Sequence, residues 1–298
     1  MIRAIPLMVP GSPPIGVATI YDDLMSDLFN EQRERDLQLV GFLNQAARAL
    51  QAVNLRRQEL ALAGRVQASL LPDITLKISG WQSAAAWKPA RETSGDFYDL
   101  VSLPDGRIGI VIADVVDKGM GAALLMALSR TLIRSYAVDY PDHPEELLRV
   151  ANQRIISDIR SGLFVTMFYG IIDPVSGMLT YCNAGHPPPY LFGYQEKEVL
   201  ETLRTTGMPL GISEDSDWKP ATIQIPRDSA LLLYTDGVVD AQNQQREFFG
   251  VEQMLEVVQE MAGSTAQAVQ EALISRLFTF IGAEPQLDDI ALLILIRE

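Results

Sequence analysis

Residues 95–115, GDFYDLVSLPDGRIGIVIADV, set the turn tripeptide Pro104-Asp105-Gly106 between two apolar, strand-like runs. That pattern predicts an antiparallel hairpin whose register is counted outward from the turn. Asp96 lies nine residues before Asp105 and Asp114 nine after it, so pairing sets the two carboxylates opposite each other at the open end. Asp114 interrupts the apolar run IGIVIADVV, where a carboxylate is costly to bury unless charge or hydrogen bonds compensate it.

The same arithmetic applies further on. ALLLYTDG ends an apolar strand at Asp236, and LDDIALLILI begins one at Asp288 and Asp289. Paired antiparallel, these strands also bring their aspartates to a common end. If the two hairpins face each other across packed sheets, four carboxylates converge. Aspartate is common at turns and strand ends, which accounts for any one of them singly; four at matched ends ask for more. At an effective dielectric near 20, two like charges about 4 Å apart repel by about 4 kcal/mol, so a bare cluster does not stay ionised. Divalent cations remove the conflict, and an all-oxygen donor set points to Mg²⁺ or Mn²⁺ rather than zinc.

Composition narrows the alternatives. A formal charge of −14 argues against capture of nucleic acid or of an anionic membrane, both of which need a basic surface. The single cysteine, Cys182, makes no disulfide framework, and with only His143 and His186 beside it no Cys/His zinc cage can form. No apolar run reaches the length of a membrane span, and prolines break the N-terminal stretch, unlike a signal peptide. The expected location is the cytoplasm.

Along the chain, residues 1–30 read as a short β segment, AIPLMV and IGVATIYDD joined by PGSPP. It resembles the last strands of a GAF sensor domain, so a remnant of such a domain is one reading. Residues 31–73 read as a helical linker, with Val40, Leu43, Ala47 and Leu50 at heptad spacing and Asn54 at the next seam position. That spacing fits a coiled coil and a homodimer, or a helix packed on its own domain. From residue 74 to 298 strands dominate, with helices expected at 119–140, at 144–160 with Pro144 in the first turn, and twice between 250 and 281, the last capped by Ser264.

At this point the segments become familiar as a set. ARETSGDFYD (90–99), IADVVDKGMGAALLMALSRTLI (112–133), FVTMFYGIIDPVSGMLTYCNAGHPPPYLF (164–192), GMPLGI (207–212), LLLYTDGVVDAQN (231–243), EFFG (247–250) and LDDIALLIL (287–295) stand in the order and spacing of the PPM-type, protein phosphatase 2C-like, metal-dependent serine/threonine phosphatases. They resemble the SpoIIE/RsbU branch, which acts on anti-anti-sigma (STAS-domain) phosphoproteins, and AGRVQASLLPD (63–73) resembles the helix before that branch's catalytic domain. The likeness covers about residues 63–298. It implies an α+β fold, a four-layer α-β-β-α sandwich of two antiparallel sheets preceded by a long N-terminal helix.

By position, the resemblance implies that Asp96, Asp114, Asp236 and Asp289 hold two Mn²⁺ or Mg²⁺ ions, with Asp114 bridging and the Val115 carbonyl as a further ligand. Water activated there would attack phosphorus directly, with no nucleophilic side chain. Arg91 is the candidate phosphate clamp, because a guanidinium takes two phosphate oxygens at once; a surface arginine at a strand edge is the alternative. Asp99, three residues after Asp96, points to the opposite strand face and is assigned, with Asp288 and His186, a supporting part around the ligands. His186 could donate a proton to the leaving oxygen or merely cap a proline turn. The wider family places a histidine just after the bridging aspartate, where Val116 and Asp117 stand here, so no general acid is assigned. Lys118 could contact phosphate, or else reads as a solvated loop lysine. Ala291 occupies a position where the branch often has threonine.

The expected activity is therefore that of a phosphoprotein phosphatase whose N-terminal helix relays a signal to the site. Two other classes are weighed against it. A two-metal nucleotide cyclase needs a basic triphosphate set that no run supplies, and a non-catalytic module that kept the fold should have lost some of the aspartates.

Overall fold

Pairing begins near the N-terminus, where β1 (Ile2–Leu7) and β2 (Gly16–Tyr21) run antiparallel with Ile2 opposite Tyr21. The computed structural model describes residues 2–7, 16–21, 30–72, 79–159 and 162–298. The expected turn at 10–14 and the boundary at 73/74 lie outside the described residues. One uninterrupted helix, α1 (Asn30–Leu70), follows, as a stretch of Leu, Ala, Gln and Arg without proline should. Of the heptad positions, Val40 is buried whereas Leu43 and Leu50 are exposed, as are the neighbouring Leu39, Phe42 and Val53. The chain divides into two units, Met1–Leu62 and Ala63–Glu298.

The second unit contains, in order, β3 (Trp81–Lys88), β4 (Phe97–Ser102), β5 (Ile108–Val115), α2 (Met120–Tyr136), α3 (Pro144–Asp158), β6 (Val165–Ile172), β7 (Met178–Ala184), β8 (Tyr190–Gly193), β9 (Glu198–Thr202), β10 (Ala221–Gln224), β11 (Ser229–Tyr234), α4 (Asp236–Val239), α5 (Gly250–Glu260), α6 (Ala266–Ile281) and β12 (Ile290–Arg297). The strands form two five-stranded antiparallel sheets, ordered β10-β7-β6-β5-β4 and β3-β12-β11-β8-β9. The last helix is capped by Thr265, whose hydroxyl accepts from the Ala268 N–H at 3.2 Å, and not by Ser264. Thr265 has the extended backbone that an N-cap needs, one residue beyond the expected position.

Strand periodicity explains the layering. Along β4 and β5 one set of alternate residues, Phe97, Val101, Val111 and Ala113, packs on α2 and α3. The other set, Tyr98, Ile110 and Ile112, meets Leu231, Leu233, Leu293 and Leu295 of the facing sheet. On the far side Ala84, Leu232, Leu292 and Ile294 receive α5 and α6 through Met254, Val258, Val269 and Leu273. Strands buried on both faces read as continuous apolar runs, and β12 is buried along its whole length. The expected four-layer α-β-β-α sandwich is the observed one.

Asp99 faces the α2 side, as its parity with Phe97 and Val101 requires. It is 1% exposed and meets Arg134 Nη1 at 2.7 Å and Arg130 Nε at 3.0 Å. Burial pushes its carboxyl up, and the two guanidiniums only partly offset that. Removing the acid leaves Arg130, itself 12% exposed, as an uncompensated charge, a more serious loss than the pair's net contribution. Asp99→Ala is expected to lower unfolding free energy by about 3 kcal/mol in urea denaturation; a loss below about 1 kcal/mol would mean that water reaches Arg130.

Candidate metal and active site

The register places the first pair of aspartates as the sequence predicts. Phe97 pairs with Ala113, so the next step of the ladder sets Asp96 opposite Asp114. In the second sheet Tyr234 pairs with Leu292, Thr235 N donates to Ala291 O at 3.0 Å, and Ala291 N donates back to Thr235 Oγ1 at 2.8 Å. Asp236 and Asp289 thus leave their strands at the same end. Gly237 permits this, because a Cβ there would collide with the Asp289 carbonyl.

Asp289 also joins the two sheets. Its Oδ1 accepts from Ala90 N at 2.7 Å and its Oδ2 from Gly95 N at 2.9 Å, on the segment that leads into Asp96. From β3, Trp87 Nε1 donates to Asp96 O at 2.9 Å. Gly95 itself packs on β5, where an added Cβ would lie 2.8 Å from the Val115 carbonyl oxygen.

Burial first, and crowding after it, disfavours the charged form of these acids. Burial raises Asp96 well above the usual carboxylate range, and the charges of Asp114 and Asp289 add to it. Asp114 is raised mainly by burial, with Asp288 and Asp289 adding and Lys118 opposing. Burial lifts Asp236 to about 6, helped by Asp114 and Asp288. Asp96 is 2% exposed, and its Oδ2 is buried without a hydrogen-bond partner. Such an orphaned acceptor is costly unless a cation or proton takes it.

The donor set is carboxylate and carbonyl oxygen, which suits Mg²⁺ or Mn²⁺. Among the described residues, no three His, Cys, Asp or Glu side chains are focused tightly enough to cage an ion as they stand. The acids are gathered at one end of the sandwich, and their fit to dications is one of donor chemistry and charge.

The remaining predicted residues fall around this end. Arg91 is exposed and follows Ala90 directly; among the described residues it makes no hydrogen bond or ion pair. Asp288 accepts from Asp289 N at 2.9 Å and pairs with Lys118 at 2.8 Å. Asp99 lies on the opposite face of its strand, bound to α2. His186 is 2% exposed and bridges the sheets: Nε2 donates to Tyr234 O at 3.1 Å while Nδ1 accepts from the Thr166 hydroxyl at 2.9 Å. Thr166 is the cross-strand neighbour of Asp114. The ring therefore spans from the Asp114 strand pair to the strand that ends at Asp236.

Sequence reasoning passed over Gln67 and did not foresee the pairing of Lys118 with Asp288. Gln67, 5% exposed on α1, donates to Ser94 O at 2.6 Å and accepts from Ser94 N at 2.9 Å, two residues before Asp96. Gly64 keeps that turn of helix close, since a Cβ there would strike the Glu92 carbonyl. A glutamine in a polar helix carries no signal that separates it from its solvated neighbours.

Comparison with known proteins agrees with this fold. Residues 104–298 match the sequence model of the family described as Stage II sporulation protein E (SpoIIE). Protein IcfG of Synechocystis sp. is 30% identical over 269 residues, 82% of this chain and 42% of its own length. Phosphoserine phosphatase RsbU of Bacillus subtilis is 28% identical over 246 residues, 81% of this chain and 71% of its own. The SiaA-PP2C domain of Pseudomonas aeruginosa shares the fold with a TM-score of 0.71 at 22% identity, over 83% of this chain and 98% of that one. The chain thus spans less than half of IcfG and nearly three quarters of RsbU.

Burial lowers the His186 pKa to about 3, the Tyr234 carbonyl opposing. An unfolded histidine titrates near 6.5, so the stability held by the neutral buried ring is complete above that pH and is lost as pH falls from 6.5 towards 3. The stability gap between the wild type and His186→Gln should narrow by about 2 kcal/mol from pH 7 to pH 5. The shifted carboxylates titrate in both proteins and cancel. Urea titrations at both pH values measure the gap, and a constant gap contradicts the assignment.

Proposed function

We propose that this chain, which belongs to the SpoIIE/RsbU branch of the PPM-type phosphatase family, is a phosphoserine/phosphothreonine protein phosphatase. It depends on two Mn²⁺ or Mg²⁺ ions and acts on a phosphorylated STAS-type regulator in sigma-factor signalling. The observation that carries this reading is the arrival of Asp96, Asp114, Asp236 and Asp289 from two antiparallel strand pairs at one end of the sandwich, with a buried Asp96 oxygen left unpartnered. The name of the RsbU relative, a phosphoserine phosphatase, supports the substrate class.

In this reading the four aspartates and the Val115 carbonyl hold the ions. When bound, the ions supply charge neutralisation, Lewis-acid activation of water and a clamp on phosphoryl oxygens. Arg91, exposed beside Ala90, takes two phosphate oxygens and sets the phosphorus in line. His186, neutral and committed at both ring nitrogens, is not the general acid. Cys182 is fully buried with its thiol pushed up to about 12, so it carries no thiolate nucleophile. The Gln67–Ser94 amide pair gives a helix movement a direct route to the segment bearing Arg91 and Asp96, by which α1 relays a signal.

One assay covers the reading: hydrolysis of p-nitrophenyl phosphate and of a phosphoserine STAS protein with Mn²⁺, with EDTA, and for Asp114→Asn. EDTA and the substitution are each expected to lower turnover at least about a hundredfold. The chain lacking residues 1–60 should differ in turnover from the full chain if α1 is a relay. Activity that survives both chelator and Asp114→Asn would overturn the phosphatase assignment.

A further inference from the structure

The connection from β5 to α2 is held in an unfavourable bend. Asp117 has φ of 78° and Gly119 of 91°; the left-handed region is costly for a residue with a Cβ. The Asp117 carboxylate maintains the bend by accepting from Lys118 N at 2.8 Å. The bend carries the Lys118 ammonium across to the loop of the other sheet, 2.8 Å from Asp288 Oδ1 and 2.7 Å from the Leu287 carbonyl oxygen. That loop is tied elsewhere too, since Gln286 Nε2 donates to Lys88 O and Asp288 O at 2.6 and 2.7 Å.

Stability alone does not account for the arrangement. The two side chains are 34% and 42% exposed, and ion pairs so placed contribute little to folding. A strained turn kept for a weak pair points to another use. Position indicates which: Asp288 directly precedes Asp289 and accepts its N–H at 2.9 Å, and Lys118 lies on the connection that leaves β5 just past Asp114 and Val115. Lys118 and Asp288 thus stand beside the carboxylates that dications would neutralise.

We propose that Lys118 is a tethered cation that occupies Asp288 and competes with divalent ions at the acidic end, setting the concentration at which metal binds. The inference rests on the reading of that end as a metal site. An approaching dication meets a fixed positive charge and an aspartate already paired. In a partly wet site the repulsion between like charges several ångströms apart exceeds the small contribution of the pair to loop order. Methionine keeps the stem and removes the charge; arginine keeps the charge.

The test is Mn²⁺ binding to the full chain, measured by calorimetry and by the electron paramagnetic resonance of free Mn²⁺, for the wild type, Lys118→Met, Lys118→Arg and the double variant Lys118→Met/Asp288→Asn. Lys118→Met is expected to bind Mn²⁺ about tenfold more tightly, Lys118→Arg within about twofold of the wild type, and the double variant to lose the gain. A melting temperature for Lys118→Met close to the wild-type value would fit the small contribution of the pair to folding. Unchanged or weaker Mn²⁺ binding by Lys118→Met overturns the inference, the lysine then serving only to order the loop. A raised KM for p-nitrophenyl phosphate with unchanged Mn²⁺ affinity overturns it in favour of phosphate contact. If the wild type binds no Mn²⁺, the metal-site reading falls and this inference with it; binding by the wild type without a change in Lys118→Met removes this inference alone.

Discussion

Mutual repulsion among carboxylates gathered at one end of a β sandwich is the constraint around which this molecule is arranged. Strand pairing forces Asp96 against Asp114 and brings Asp236 and Asp289 to the same edge, and the surrounding backbone answers with donors. Asp289 takes the N–H groups of Ala90 and Gly95, and Lys118 sets a positive charge beside Asp288. Even so, burial and neighbouring charge keep Asp96, Asp114 and Asp236 raised. Acidity this poorly compensated is tolerable when cations belong to the working state.

Polar cross-links hold the geometry from both ends of the sandwich. Beside the acids, Trp87 reaches Asp96 O and His186 reaches Tyr234 O. At the opposite end Trp81 Nε1 donates to Pro174 O at 2.9 Å, and Arg297 donates to Ile225 O and Val175 O at 2.7 and 2.9 Å. Between them lies an apolar layer of Ile110, Ile112, Leu231, Leu233 and Leu293. Close packing of that kind resists sliding, so the spacing of the aspartates is a property of the whole sandwich rather than of four loops.

Much of this was legible before any coordinates, for an identifiable reason. Antiparallel register is counted from a turn, and Pro104-Asp105-Gly106 marks the turn in the sequence, so the opposition of Asp96 and Asp114 could be derived. The parity of Asp99 followed from the same counting. What escaped were contacts between segments distant in the chain. Gln67 and Ser94 are 27 residues apart, and Lys118 and Leu287 are 169 apart; no periodicity records such meetings. His186 was visible as a residue but not as a bridge, because which sheet its ring reaches is decided by tertiary packing. The cap at Thr265 rather than Ser264 turned on one residue's backbone angle, which adjacent hydroxyl residues do not announce.

The most direct measurement of the central claim is anomalous scattering at the manganese edge from crystals of the full chain soaked in Mn²⁺. The account predicts two peaks between the ends of the two strand pairs, ligated by oxygens of Asp96, Asp114, Asp236 and Asp289. Manganese elsewhere, or Asp96 and Asp236 ligating nothing in common surroundings, would contradict it.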